Sequence, residues 1–360
     1  MASLVAVFSG DSDRPSTDRA PTQGSGTTQD PGTTQDPGTT PGSGTTPGSG
    51  TVQGSPLPLG TYSETRRGTS CLPGVDECLG FELDCPSLDE TASGELDVRR
   101  PSRPDRGVVM LFSGGKGEMW WGESQRDLVL LDRLLEDGFT VVQVKWNKQG
   151  SWLLSAQGED AGTAHVACRS ATVVQWVHDN IYVPLGLDPE PLACGFCLAG
   201  SSGGASQVSY AMAYYGLDSI VDAVVPISGP PHADQAAGCL HRQGQEDAWY
   251  AEAVGFSNID GSYGFRASDT GGPCARREAA MAGRWEAESV ATGGVDYDHP
   301  TTRVHLILGT HDSTGATGQG ELYAARLEAA GSPHVTVDLV DMGHGLNDLG
   351  RDLLREVLLE

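Results

Sequence analysis

Residues 198–206 read LAGSSGGAS, and the patterns on either side of this stretch decide the fold. The apolar run CGFCLAGSS (194–202) predicts a buried strand. It passes directly into GGASQVSYAMAYYG, which predicts a helix that ends at Gly216. The glycine-rich stretch therefore lies at a sharp turn from a strand into a helix, and not in a loose connection.

The stretch contains the only G-x-S-x-G pattern in the chain, residues 200–204. Alone the pattern has little weight in a chain with 49 glycines. Between a strand and a helix, glycines two positions before and after a serine remove Cβ atoms that would collide in the turn. This register favours Ser202 as a nucleophile, whereas Ser201 has Ala199 on one side and fits less well.

Apolar runs and helical spacings alternate along the rest of the chain, which predicts a mainly parallel α/β sheet flanked by helices. The other predicted strands are 79–85, 95–100, 106–117, 139–146, 221–229, 302–312 and 334–345. The other predicted helices are 124–138, 162–182, 275–291, 320–331 and 347–360. Ligands bind at the carboxyl ends of the strands in such sheets, so the residues that follow each strand are the candidates for a site.

A serine nucleophile needs a base and an orienting carboxylate, and two strand ends supply them. His344 follows the last predicted strand in VDMGHG, and Asp312 ends the strand 302–312 in LGTHD. The chain order Ser202, Asp312, His344 is that of one serine-hydrolase fold. Asp341 is the alternative acid, but it lies inside the last predicted strand, three residues before the histidine.

Two backbone N–H donors are needed to stabilise a tetrahedral oxyanion. The residue after the nucleophile, Gly203, is the first candidate. The second is expected in the loop SGGKG after the strand that begins at 107, at Gly115 or Lys116.

Four ordered elements now carry a resemblance: the elbow GSSGG, the loop SGGKG, GTHD after a later strand, and MGHG near the end. From about residue 76 onward the chain resembles the α/β-hydrolase family. The resemblance implies the α/β-hydrolase fold, a catalytic domain over residues 57–360, and a cap formed by residues 230–300 between two late strands. The esterase branch with an HGG loop has histidine where this chain has Ser113.

Aromatic residues follow the strands that precede the proposed site. Trp120 and Trp121 come after the glycine loop, and Trp146 ends the next strand. They are candidates for an apolar acyl or aryl pocket, with burial in the core beneath the cap as the alternative.

The first 56 residues differ from the rest of the chain. From residue 26 to 51 they repeat Gly, Thr, Pro and Gln in a six-residue period without an apolar residue for a core. We predict a disordered linker or stalk over residues 1–56, able to tether the catalytic domain to a surface or polymer. The net charge of −25 argues against nucleic acid and anionic membranes as partners.

The even number of cysteines predicts disulfides and an oxidising compartment. They are Cys71, Cys78, Cys85, Cys168, Cys194, Cys197, Cys239 and Cys274. The local candidates are a bridge among the first three and a bridge between the last two. The pair at 194 and 197 lies in a predicted strand and lacks a second CxxC, so zinc is not expected there. Secretion is expected although no signal peptide is evident in MASLVAVFSGDSD.

The leading hypothesis is a secreted serine hydrolase that cleaves small-molecule or polymeric carboxylic esters, with no cofactor, no metal and no membrane span. The alternatives are an extracellular polyester depolymerase, a serine peptidase of the same fold, and an inactive cell-surface or adhesion protein.

Overall fold

The computed structural model describes residues 54–68, 71–72, 74–148, 151–251, 255–266 and 271–360. The predicted linker, residues 1–56, lies outside the described residues except for its last three. Among the described residues no helix has both the length and the apolar composition needed to cross a membrane.

The described chain forms one sheet, whose strands are β1 Thr61–Gly68, β2 Glu77–Asp84, β3 Ala92–Arg99, β4 Gly107–Phe112, β5 Phe139–Trp146, β6 Phe196–Ser201, β7 Ala223–Ile227, β8 Arg303–Gly309 and β9 Val335–Val340. Their order in the sheet is β1-β2-β3-β5-β4-β6-β7-β8-β9. The pairs from β1 to β5 are antiparallel, and all pairs from β5 to β9 are parallel. The predicted mainly parallel sheet is confirmed.

The α-helices of the described residues are α1 Gln125–Asp137, α2 Thr163–Val166, α3 Cys168–Val177, α4 Gly203–Tyr215, α5 Gln235–Leu240, α6 Gly255–Ser262, α7 Ala282–Ala287, α8 Ala316–Ala330 and α9 Asp348–Leu359. Helices α1 and α9 pack on one face of the sheet, and α3, α4 and α8 contribute to the core on the other face. The flanking helices that the sequence predicted are confirmed.

Local sequence signals set the ends of several elements. The Ser124 side chain accepts a hydrogen bond from the Asp127 N–H and caps α1, which ends at Gly138 in the left-handed conformation. Helix α4 ends in the same way at Gly216. The first and last residues of α1 and of α4 agree with the sequence prediction.

Three predictions of local structure were wrong. The helix predicted over 162–182 is split into α2 and α3, and it ends in a π-helical turn at His178–Tyr182. The helix predicted over 275–291 is shortened to a single 3-10 turn and α7, while α5 and α6 were not predicted. Strand β1 was also missed, because it is mostly exposed and polar and therefore shows no alternation of apolar and polar residues.

The segment between β7 and β8, which contains α5, α6 and α7, has a small core of its own. The residues of this core are Ala236, Cys239, Tyr250, Ile259, Tyr263, Cys274 and Trp285. A disulfide joins Cys239, which is in α5, to Cys274, which lies between α6 and α7, as the sequence predicted. The segment thus packs as a unit inserted between two neighbouring strands.

All eight cysteines form disulfides. The other pairs are Cys71–Cys78, Cys85–Cys168 and Cys194–Cys197. The first is one of the local bridges expected near the N-terminal strands. The second was not predicted, because Cys168 lies on a helix far along the chain.

The disulfide Cys85–Cys168 closes a loop of 83 residues, whereas Cys71–Cys78 closes one of 7. Because a cross-link restricts the unfolded chain more when the loop is longer, we expect the double variant Cys85→Ala/Cys168→Ala to lose about 4–5 kcal/mol of unfolding free energy, against about 2 kcal/mol for Cys71→Ala/Cys78→Ala. Urea denaturation of both variants measures the difference. Equal losses, or a larger loss for the short loop, would contradict the assigned pairing.

Candidate active site

Ser202 occupies the turn between β6 and α4 in a strained backbone conformation, with φ 55° and ψ −117°. A side-chain-bearing residue adopts a positive φ only where its surroundings hold it there. The Ser202 N–H donates to the Ile227 carbonyl at 2.7 Å, and the Ser202 carbonyl accepts from the Ser206 N–H at 3.2 Å. The neighbouring strand and the first turn of α4 therefore fix the serine at the end of β6.

The glycines around Ser202 permit backbone contacts that no other residue allows. A Cβ atom added at Gly200 would lie 2.2 Å from the Gly204 carbonyl oxygen, and one added at Gly204 would lie 2.0 Å from the Phe112 oxygen. At Gly203 the added atom would lie 2.1 Å from the Gly115 oxygen. Two of these glycines flank Ser202 at the spacing that the sequence motif required.

Ser202, His344 and Asp312 form one hydrogen-bonded chain at the carboxyl edge of the sheet. The Nε2 atom of His344 lies 2.8 Å from Ser202 Oγ, and its Nδ1 atom lies 2.8 Å from Asp312 Oδ2. The three residues follow β6, β8 and β9, so the parallel strands bring them together. The imidazole is positioned to take a proton from the serine while the carboxylate fixes its orientation.

The Asp312 side chain is fully buried, and its second oxygen is also bonded. Oδ1 accepts from the Thr314 N–H at 2.8 Å and from the Thr314 hydroxyl at 2.7 Å. Burial alone raises the pKa of Asp312, but the hydrogen bonds from His344 and Thr314 outweigh it and hold this pKa below its ordinary value. The carboxylate is therefore ionised at neutral pH.

Asp341, the alternative acid, lies elsewhere. Its side chain is 80% exposed and pairs with His311 Nε2 at 2.8 Å. The structure therefore brings Asp312, and not Asp341, to His344.

The loop after β4 runs beside the elbow and leaves backbone donors unused. Among the described residues, the N–H groups of Gly115 and Gly203 have no hydrogen-bond acceptor. The Ser113 hydroxyl donates to the Met119 carbonyl at 2.6 Å, and the Gly117 N–H donates to the Gly114 carbonyl at 3.0 Å. These bonds fold the loop back on itself.

The orientation of one peptide distinguishes Gly115 from Lys116 as a donor. The Gly115 carbonyl faces Gly203 and accepts a hydrogen bond from the Trp152 indole N–H at 3.0 Å. Because C=O and N–H point in opposite directions in a trans peptide, the Lys116 N–H points away from Gly203. The Gly115 nitrogen belongs to the preceding peptide and would lie 2.9 Å from a Cβ added at Gly203. This geometry favours Gly115.

Two of the three predicted pocket residues line a pocket that reaches the chain neighbours of Ser202 and His344, although neither of these two residues lines it. Trp120 and Trp121, with Met119, border a pocket of about 340 Å³ that also touches Ser201 and Gly345. These last two are the chain neighbours of Ser202 and His344.

The prediction for Trp146 was wrong, because this side chain belongs to the core. Trp146 is 1% exposed, packs edge-on against Phe81, and donates its indole N–H to Gln207 Oε1 at 2.9 Å. The side chain is part of the main hydrophobic core and is not among the residues that line the pocket.

Sequence reasoning missed two residues that support the site. Thr314 follows Asp312 in a D-x-T pattern, and this turn signature was available as a signal. Trp152 carries no local signal, because its contact with Gly115 depends on the tertiary fold. Of the metal-spaced side-chain groups among the described residues, none includes a residue of this site.

The chain has the α/β-hydrolase fold. The strand order, the parallel half of the sheet and the turn at Ser202 define it. No protein-family model matches the sequence, and no curated protein matches it.

The chain is similar to several solved esterase structures. Est1E from Butyrivibrio proteoclasticus is 13% identical, with a TM-score of 0.46 over 78% of this chain and 99% of Est1E. The Pyrobaculum calidifontis esterase is 18% identical, with a TM-score of 0.48 over 84% of this chain and 85% of the esterase. A truncated carbohydrate esterase from gut microbiota is 17% identical, with a TM-score of 0.48 over 74% of this chain and 91% of that protein.

We expect Gly204→Ala to lower the unfolding free energy by about 3 kcal/mol or more, because the new methyl group overlaps the Phe112 carbonyl. The sign of this change is informative, because replacing glycine with alanine inside a helix ordinarily stabilises the helix. Gly343→Ala is the matched control, because an added Cβ there meets no atom within 4 Å. Urea denaturation of both variants gives the comparison, and a Gly204→Ala protein as stable as the wild type would refute the close packing.

Proposed function

We propose that the protein is a serine hydrolase that cleaves carboxylic esters through an acyl-enzyme on Ser202. The observation that carries the proposal is the continuous chain of hydrogen bonds from Ser202 Oγ through His344 to Asp312. A serine hydroxyl is a weak nucleophile until a base takes its proton, and this chain supplies the base.

The proposed reaction has two steps. Ser202 Oγ bonds to the ester carbonyl carbon while its proton moves to His344 Nε2. The tetrahedral intermediate then breaks its bond to the alkoxy oxygen, and His344 returns the proton to the leaving alcohol. Water, deprotonated by the same imidazole, attacks the acyl-enzyme and releases the acid and the free serine.

Asp312 stabilises the imidazolium that forms in each step. Its side chain is buried and ionised, so its charge acts on His344 at hydrogen-bond distance. Thr314 holds the other carboxylate oxygen and keeps the carboxylate turned toward His344 Nδ1.

We propose that the N–H groups of Gly203 and Gly115 stabilise the oxyanion. Both groups lack another acceptor, and the two backbones are in direct contact. Donors held by backbone packing before substrate binds are the condition for electrostatic stabilisation of a transition state, and these two observations support the assignment.

We propose that the pocket next to the elbow holds an apolar acyl or aryl group of a small ester. Trp120, Trp121 and Met119 provide its apolar wall, and Asp127 and Arg351, which also line it, form an ion pair with each other.

We further propose that residues 57–360 form the catalytic domain, that 230–300 form a cap, and that 1–56 act as a linker. The separate small core of the segment between β7 and β8 supports the proposal that residues 230–300 form a cap. The eight bonded cysteines support an extracellular location, where disulfides persist.

A fluorophosphonate probe tests the nucleophile and its register. We expect one probe molecule to label the wild type and Ser201→Ala, and none to label Ser202→Ala. The kcat for p-nitrophenyl esters falls by at least about 10⁴-fold in Ser202→Ala. Labelling that persists in Ser202→Ala, or that is lost only in Ser201→Ala, would overturn the assignment. A parallel series of p-nitroanilides and polyester films distinguishes an esterase from a peptidase and a depolymerase.

The acid is tested by a pair of isosteric variants. Asp312→Asn removes the charge that orients and stabilises His344, so we expect kcat to fall by roughly 10⁴-fold. Asp341→Asn removes an exposed carboxylate from the neighbouring segment and leaves kcat within about twofold of the wild type. Equal effects of the two changes, or a larger effect at Asp341, would contradict the proposed chain of residues.

The low pKa of Asp312 adds a pH criterion. The carboxylate stays ionised as the pH falls through its ordinary value near 4, so activity lost above that pH reports the protonation of another group. The acidic limb of kcat/KM is expected well above pH 4.

A further inference from the structure

A second cluster of potential ligands lies at the opposite edge of the sheet from Ser202. Asp218 is in the turn between α4 and β7, and Asp296 and His299 are in the chain that leads into β8. One ligand atom from each lies within 4.8 Å of the others. The cluster thus joins two segments at the amino ends of neighbouring parallel strands.

His299 is the unusual member of this cluster. Its side chain is fully buried, and neither ring nitrogen has a hydrogen-bond partner. Nδ1 lies 4.0 Å from Asp218 Oδ2, which is beyond hydrogen-bond distance. Buried polar groups are nearly always bonded, so an imidazole without a partner beside two carboxylates indicates a missing ligand.

The two carboxylates also lack a compensating cation in the protein. Among the described residues no lysine or arginine lies within ion-pair distance of Asp218 or Asp296. Two neighbouring negative charges at a partly buried position repel each other unless a cation binds between them.

The backbone that carries the three side chains is held on several sides. The Asp296 N–H donates to the Ala213 carbonyl at 3.2 Å, and the His299 N–H donates to Ser332 Oγ at 2.9 Å. The Thr302 hydroxyl bonds the Asp218 carbonyl at 2.9 Å and so links the two segments. The positions of the three ligands are therefore fixed by contacts that do not involve their side chains.

We propose that Asp218, Asp296 and His299 bind one divalent transition-metal ion, with Zn²⁺ the best match. An imidazole nitrogen with two carboxylates is a donor set for such ions, whereas Ca²⁺ and Mg²⁺ prefer oxygen alone. Three protein ligands leave room for water at the ion. Sequence analysis predicted no metal, because ligands from separate segments leave no local pattern.

The ion has a structural role. It ties the turn after α4 to the point where the chain from the inserted segment re-enters the sheet at β8. Because the site is at the amino edge of the strands, it does not contact the residues proposed for ester hydrolysis.

Thermal unfolding of the untagged full-length chain tests the site. After EDTA treatment and dialysis, we expect added Zn²⁺ to raise Tm by about 5 °C at a hundredfold excess over its Kd. Calcium and magnesium at the same concentrations leave Tm unchanged. Isothermal titration gives one high-affinity Zn²⁺ per chain, and p-nitrophenyl ester hydrolysis at 25 °C is the same with and without the ion.

The matched variants are Asp296→Asn and Asp298→Asn. Each removes one negative charge from the same short segment, but the exposed Asp298 side chain is outside the cluster. We expect Asp298→Asn to keep the Zn²⁺-dependent rise in Tm and Asp296→Asn to lose it. No rise in the wild type, or a rise of equal size in Asp296→Asn, would overturn the proposal. Because the readout is Tm and stoichiometry, the result is independent of whether Ser202 proves to be the nucleophile.

Discussion

The close contact of backbone with backbone at Ser202 is the constraint on which the rest of the site depends. Gly204 touches the end of β4, and Gly203 touches the loop that follows it, with no side chain between them. This contact forces the turn from β6 into α4 and holds Ser202 at a positive φ. It also brings the backbone of Gly203 against that of Gly115, so one steric condition positions the hydroxyl and the two N–H groups that we propose as oxyanion donors.

The sheet transmits this arrangement to the other site residues. Strands β6, β8 and β9 are parallel and end at the same edge, which brings His344 and Asp312 to the serine. The Trp152 indole N–H donates to the Gly115 carbonyl, and the Thr314 hydroxyl donates to Asp312 Oδ1. The proposed metal site of Asp218, Asp296 and His299 lies at the opposite edge of the sheet. The site proposed to stabilise the fold is therefore separate from the site proposed for ester hydrolysis.

The features that could be predicted from the sequence are those marked by a short pattern in the chain, such as an apolar strand and the residue that follows it. Ser202, Asp312 and His344 each follow an apolar strand, and the chain order of such ends is enough to group them. Strand β1 was missed because an exposed polar edge has no periodic pattern. Trp146 was misplaced because composition does not reveal to which side of a strand end an aromatic ring turns. The contacts of Trp152 and the Cys85–Cys168 bridge join distant segments, and no local pattern indicates them.

A crystal structure of the protein after reaction with a fluorophosphonate tests directly whether Ser202 is the nucleophile and whether Gly203 and Gly115 bind the oxyanion. We expect phosphorus bonded to Ser202 Oγ, with the phosphonyl oxygen about 2.7–3.1 Å from the nitrogens of both Gly203 and Gly115. His344 Nε2 then faces the second phosphonate oxygen. Phosphorus on any other side chain, or a phosphonyl oxygen directed to solvent or to the Lys116 N–H in place of these two groups, would contradict it.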